Sequence, residues 1–327
     1  MTIKTKSAIV GLLLLLGVVP LGVMAAIDGA GLTISPPISE ATVNPGETLN
    51  RIVKINNPTG NVIEVYPRTM NFKAGGLTGE PSFYDPGDSA EKFALSSWIT
   101  MDKAKIALAP EQVVEFKYSI KVPEGAEAGG HYGAVFFANE PESMATGSGV
   151  SVGSMIGTLL LVKVPGDITE VGSLKSFVSD KLIYFKNLVN FTAQIKNTGN
   201  IHIKPVGNIT ITNMFGTEVG KLKFNEQGGN VLPDSTRQLT NKWEPSGIVL
   251  GRYSADIALT YGAASNTISG TTSFWVFPIW FIITVSIVVL LILVLIIWLV
   301  VRGRKHKKSK DSPKVSEASK TEKDSEV

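Results

Sequence analysis

The chain has 327 residues, a formal net charge of +3, 44% apolar side chains and no cysteine. That length allows two ordinary domains plus accessory segments, and the missing cysteines exclude disulfide frameworks, thiol chemistry and cysteine metal sites. The positive charge does not point to nucleic acid. It collects at the two ends: residues 302–327 hold nine Lys/Arg against five Asp/Glu, Lys4 and Lys6 open the chain, and the part between is acidic on balance.

Residues 1–26 begin with Lys4 and Lys6, run apolar from Ala8 to Val19, break at Pro20 and Gly22, and reach small residues at Ala25–Ala26. This is the layout of a secretory signal peptide cleaved near Ala25–Ala26, with an uncleaved signal anchor as the alternative. Export is therefore expected for residues 27–275.

Across that exported part the dominant period is two. Val114, Phe116, Tyr118, Ile120 and Val122 alternate with Glu115, Lys117, Ser119 and Lys121. Val189, Phe191, Ala193 and Ile195 alternate with Asn190, Thr192, Gln194 and Lys196. Both read as half-buried antiparallel strands, punctuated by turn signals such as NPGE (44–47), NPTGN (57–61) and NTGN (197–200).

The exported part also repeats itself. VKINNPTGNVIEVYP (53–67) matches AQIKNTGNIHIKP (193–205), and the stretch from Leu108 to Phe137 matches that from Leu232 to Tyr261. The first copy carries an insertion placed within 73–98. The expected fold is all-β: two tandem immunoglobulin-like sandwiches over 27–165 and 166–275, with the boundary near VPGDI (164–168).

In GGHYG (129–133) and GRYS (251–254), a glycine then a tyrosine open a strand. Tyr132 and Tyr253 are expected as tyrosine corners, packing inward with the hydroxyl bonded to preceding backbone. In the first copy this places Tyr132, Ala134 and Phe136 inward. It leaves Gly133, Val135 and Phe137 on a second apolar face covered by the 73–98 insertion, by the neighbouring domain, or by a ligand. The candidate ligand or partner surface is thus His131, Val135, Phe137, Tyr84 and Trp98. Trp98 has a core reading as well, in which FALSSWI (93–99) is an edge strand with Phe93, Leu95 and Trp98 packed under the loop.

Little else suggests chemistry. His131, His202 and His306 are scattered, and no nucleophile elbow, Walker loop or paired-histidine metal motif occurs. Asp85 and Asp88 match no calcium loop, and Glu140 and Glu142 share one turn rather than flank a cleft. Asn190 and Asn208 begin glycosylation sequons. No enzyme, cofactor or metal is expected.

Residues 276–301 contain no charge. As a helix they would be about 39 Å long, enough for a hydrocarbon core of about 30 Å. Trp275, Trp280 and Trp298 mark the interfaces, and Arg302, Arg304 and Lys305 begin a basic stop. The expectation is a single-pass membrane protein with both sandwiches outside and a disordered cytoplasmic tail over 302–327. The last strand reaches this span with no flexible linker, so the second domain would stand on the bilayer.

The segments GLTISPPISEATVNPGE, LSSWI, GGHYGAVFF and VPGDI resemble the first domain of the WxL-interacting proteins of bacterial surfaces. KNTGNIHIKPVGNITITNMFG, GGNVLPDSTRQL and GRYSADIALTYG are similar to that family's second half. The resemblance implies a peptidoglycan-binding role for the first domain, a host-binding role for the second, and WxL-domain proteins as partners. Two functions are expected on these grounds. One is a membrane-anchored surface protein contacting peptidoglycan or other surface proteins through its first domain. The other is an assembly partner in an extracytoplasmic complex, recruiting another chain by strand addition.

Overall fold

A computed structural model describes residues 31–85, 92–139 and 155–310, the last eight by backbone alone. The signal-peptide segment, Asp88, Glu140, Glu142, the side chains of Arg304 and Lys305 and the tail beyond residue 310 lie outside it. The chain divides into two compact units. One takes the chain up to Phe72, Phe83–Glu127 and His131–Pro165; the other takes Gly166 onward with Lys73–Ser82 and Ala128–Gly130.

The first unit is built from β1 (Thr33–Ser35), β2 (Ile38–Thr42), β3 (Thr48–Asn56), β4 (Ile63–Ala74), β5 (Pro81–Tyr84), β6 (Ile99–Met101), β7 (Ile106–Leu108), β8 (Val113–Lys121), β9 (Gly129–Ala138) and β10 (Met155–Val164). One sheet runs β1-β3-β8-β6; the other runs β2-β10-β9-β4-β5, with β7 also paired to β4. The expected alternation in β8 holds: Phe116, Tyr118 and Ile120 are buried between the sheets with Val53, Ile55, Val65 and Leu108.

The second unit contains β11 (Gly172–Ser179), β12 (Ile183–Tyr184), β13 (Val189–Asn197), β14 (Val206–Asn213), β15 (Glu218–Phe224), β16 (Ser235–Trp243), β17 (Gly251–Tyr261) and β18 (Asn266–Val276). Its sheets run β11-β13-β16 and β12-β18-β17-β14-β15. This is the order of the first unit without β6 and β7, and in both a short strand (β2 or β12) pairs in parallel with the last strand (β10 or β18). The internal repeat is thus a repeat of immunoglobulin-like topology, and the chain is two tandem sandwiches followed by one apolar helix.

The same buried polar device occupies the same place in both copies. Asn57, fully buried, donates through Nδ2 to the carbonyls of Asn61, Leu108 and Ala109 at 2.7, 3.1 and 3.0 Å, while its Oδ1 accepts the Thr59 N–H. Asn197, fully buried, donates to Ile201 and Val231 at 2.7 and 2.9 Å and accepts the Gly199 N–H. Each amide closes the turn after the second core strand and ties it to a segment far along the chain. Buried carbonyls left without a donor cost more than an ordinary hydrogen bond contributes.

In the second unit the β11–β13 connection is pinned by Tyr184, whose hydroxyl donates to Asp180 and accepts the Lys181 N–H at 3.0 Å. Burial pushes the Asp180 carboxyl up, but hydrogen bonds from Tyr184 and from the Asn190 side chain and backbone outweigh it and hold it below its ordinary value. The Tyr184 hydroxyl is pushed up to about 12 by burial and by its bond to Asp180.

The helix α1 (Ile279–Lys310) begins three residues after β18 ends. The 276–301 boundary is therefore corrected at its start. Val276 is the last ladder residue of β18, opposite Gly251, and Phe277 still donates to the Tyr184 carbonyl. Pro278 has no N–H to lose at the first turn, and its carbonyl accepts from Phe281 and Ile282. Ile279–Arg302 is long and apolar enough to cross a membrane.

Two outcomes are expected. Asn57→Ala and Asn197→Ala each destabilise their own domain by about 3 kcal/mol, read as separate shifts in chemical unfolding. The raised Tyr184 pKa contributes stability that is complete below the unfolded value of 10.0 and is lost as pH rises towards about 12. Asp180 contributes stability above its ordinary 3.8 that is lost as the pH falls below that value. Melting temperature against pH should show both limbs, and Tyr184→Phe should flatten the alkaline one.

Candidate partner surface of the first domain

The loop before β9 turns sharply at Gly129, whose φ of 137° is open only to glycine. His131 then enters the interior and is 4% exposed. Its Nδ1 lies 3.2 Å from the Ala94 carbonyl and its Nε2 3.0 Å from the Glu127 carbonyl, the tautomer deciding which nitrogen donates. The Trp98 ring covers it at 4.3 Å between centroids. His131 and Trp98 are brought together, but as a plug at the end of the core.

The faces of β9 are the reverse of the sequence expectation. Val135 and Phe137 point between the sheets, Phe137 edge-on to Phe116 at 5.1 Å, and neither offers a surface. Tyr132, Ala134 and Phe136 occupy the outer face. The repeat aligned Tyr132 with Tyr253, but a one-residue difference between the copies exchanges every side chain on a strand. Tyr253 does form its corner: its hydroxyl accepts the Leu250 N–H at 3.0 Å, and its ring stacks on Phe274. In the first copy the inward residue at that corner is His131, tied to Glu127 four residues earlier, and Tyr132 lies outside the main core.

The outer face is covered by the insertion, one of the covers expected. Tyr132 N–H donates to the Phe93 carbonyl, and the buried Asn71 Oδ1 accepts from Leu95 and Ser96 at 2.8 and 2.7 Å. The segment thus wedges in where the β4–β9 ladder stops at Asn71–Gly133. Above it lies an aromatic layer: Phe72 near Tyr132 and Phe83, Phe93 near Tyr132, and Phe83 edge-on to Phe136 at 4.8 Å. Phe83 remains 36% exposed. Tyr84, the last residue of β5, is half-buried.

Beside this layer the sheet has an open edge. β2 pairs with β10 only from Leu159 to Lys163, and Leu159 N–H reaches the Pro37 carbonyl. Among the described residues no strand continues the pairing along Met155–Thr158. Since backbone groups alternate along a strand, Met155 and Gly157 present their N–H and C=O outward there. Met155 is 47% exposed, and Gly157 leaves room for the Phe136 ring, which a Cβ would approach to 2.5 Å. The Thr158 hydroxyl is buried behind the same edge without a hydrogen-bond partner among the described residues. Sequence reasoning missed this edge because an unpaired half-strand depends on where its neighbour ends, and no residue type signals that.

No protein-family model matches the chain, and no curated protein matches it. Similar solved structures include the class 5 fimbriae chaperone CfaA, with 13% identity, covering 75% of this chain and 99% of that one at a TM-score of 0.37. Another is the CsuC–CsuE chaperone–tip adhesion subunit complex of Acinetobacter baumannii, with 14% identity, 64% and 90% coverage and a TM-score of 0.35. The E. coli chaperone DraB has 10% identity, 75% and 96% coverage and a TM-score of 0.32.

His131→Ala should destabilise the first domain by roughly 2–3 kcal/mol through lost hydrogen bonds and a cavity under Trp98. Thermal unfolding monitored by tryptophan fluorescence checks it. A His131 side chain serving a surface ligand would instead be removable at little cost in stability.

Proposed function

We propose that the chain is a membrane-anchored surface protein whose first domain recruits another protein chain by adding a strand to β10. The open half of that strand carries the proposal. Among the described residues no strand meets the outward backbone groups of Met155 and Gly157, and such a sheet edge is a template for an incoming strand. Met155 borders it with exposed apolar surface against which the added strand's side chains can pack, whereas Phe83 lies on β5 at the other edge of the same sheet. In line with the resemblance noted in the sequence, the partner is a WxL-domain surface protein. The apolar helix Ile279–Arg302 anchors the chain with both sandwiches outside.

A wall polymer is the second reading, favoured by the half-exposed Phe83 ring, since aromatic faces stack on sugars. His131, Val135 and Phe137 no longer contribute to it, because all three are buried.

The test uses the full chain in nanodiscs against a purified WxL-domain protein and, separately, isolated sacculi. Met155→Pro removes an outward N–H without touching the β9 ladder, so it should weaken protein binding about five- to tenfold at unchanged melting temperature. Phe83→Ala should matter most for a glycan. Protein binding indifferent to Met155→Pro would sink strand addition, and binding to sacculi alone, lost with Phe83→Ala, would replace it with the wall reading.

A further inference from the structure

The second domain has one apolar end. Three connections meet where β18 leaves for α1: residues 181–187, residues 213–217 and residues 244–250. Trp275 and Phe277 donate to the carbonyls of Leu182 and Tyr184, Asn187 donates to Gly247, and Asn213 lies opposite Tyr253 near the start of β17. On these loops Phe215 is 83% exposed, Ile248 82% and Leu182 76%, with Met214 and Phe185 more than half exposed.

The opposite end of the same domain differs. Its turns are Thr198–Asn200, Glu226–Asn230 and Gly262–Ser265, all small or polar residues. Large apolar tips on isolated surface loops are a solubility liability, so their collection at one end calls for a cover. The tips are also held in place: Asn213 Oδ1 accepts from Phe215 and Thr217 at 3.0 Å each, and Tyr184 pins the 181–187 loop to Asp180. The chain continues from this end directly into the apolar helix, through Trp275 stacked on Phe277 and then Trp280.

We propose that this end is a lipid-seating collar. Leu182, Phe185, Met214, Phe215 and Ile248 insert into the interfacial layer of the bilayer that α1 enters, and the exposed Lys181 and Lys186 lie at the anionic headgroups. The inference rests on reading α1 as a membrane span and adds a second, preformed contact around it. With only two residues between β18 and α1, the collar cannot leave the headgroup region while the helix is inserted. Seating fixes the domain's tilt, which a single helix would leave free.

The absence of cysteine makes the test direct. Phe215→Cys, Ile248→Cys and Leu182→Cys are labelled one at a time with a fluorophore. The full chain is then reconstituted in vesicles of phosphatidylcholine and phosphatidylglycerol containing lipids spin-labelled either at the headgroup or deep in the acyl chain. Leu291→Cys reports the helix, and Ala264→Cys reports the opposite turn. The collar labels should be quenched by headgroup-labelled lipid at least about threefold more than the Ala264 label, the depth being that of an interfacial segment. Phe215→Asp combined with Ile248→Asp should reduce quenching at Leu182. Unquenched collar labels beside a deeply quenched Leu291 label would overturn the collar and leave the span standing. An unquenched Leu291 label would remove the span and the collar together. Collar labels shielded from an aqueous quencher yet untouched by spin-labelled lipid would assign this end to a protein partner and overturn the lipid reading.

Discussion

Both sandwiches depend on a single asparagine that reaches out of its strand and closes a turn against a distant one. Asn57 joins the β3–β4 connection to the end of β7, and Asn197 joins the β13–β14 connection to Val231. The amide offers two donors and an acceptor in one plane, which lets it satisfy carbonyls that neither sheet ladder reaches. With no disulfide available, this polar stitch and the apolar core share the work of holding two sheets face to face. Because the same stitch occurs in both units, the rest of the repeated topology can diverge around it.

That divergence is concentrated in the first unit. Its insertion turns back and enters the sheet beside β9, using Asn71 and the Phe93 carbonyl to replace ladder bonds that β4 no longer supplies. A strand that is wet on one face in the second unit becomes buried on both faces in the first. Its outer side carries an aromatic layer in place of polar residues. The open part of β10 lies next to this layer, so the modification of the common plan and the candidate partner edge belong to the same face of one sheet.

The second unit is modified at its other extreme. There the loop tips are apolar, and the last strand passes into α1 almost without a connecting segment. In the proposed reading the two units divide the labour: the edge of β10 takes a partner strand, and the apolar end of the second unit meets lipid.

The sequence by itself determined the class of fold, the twofold repeat and the apolar helix, because period-two alternation, turn residues and long uncharged runs are local signals. It also marked Tyr253 as a corner, and it singled out Trp98 and His131 as neighbours in interest if not in role. It could not determine which face of β9 is inward. Gly133, Val135 and Phe137 are as apolar as Tyr132, Ala134 and Phe136, so the alternation carries no sign, and the choice fell to the packing of Phe116 and the insertion. Nor could it show that β2 stops pairing at Leu159, or that three loops far apart in the chain converge on one end of a domain. Those are properties of strand register and of chain return, which arise only when segments distant in sequence are brought side by side.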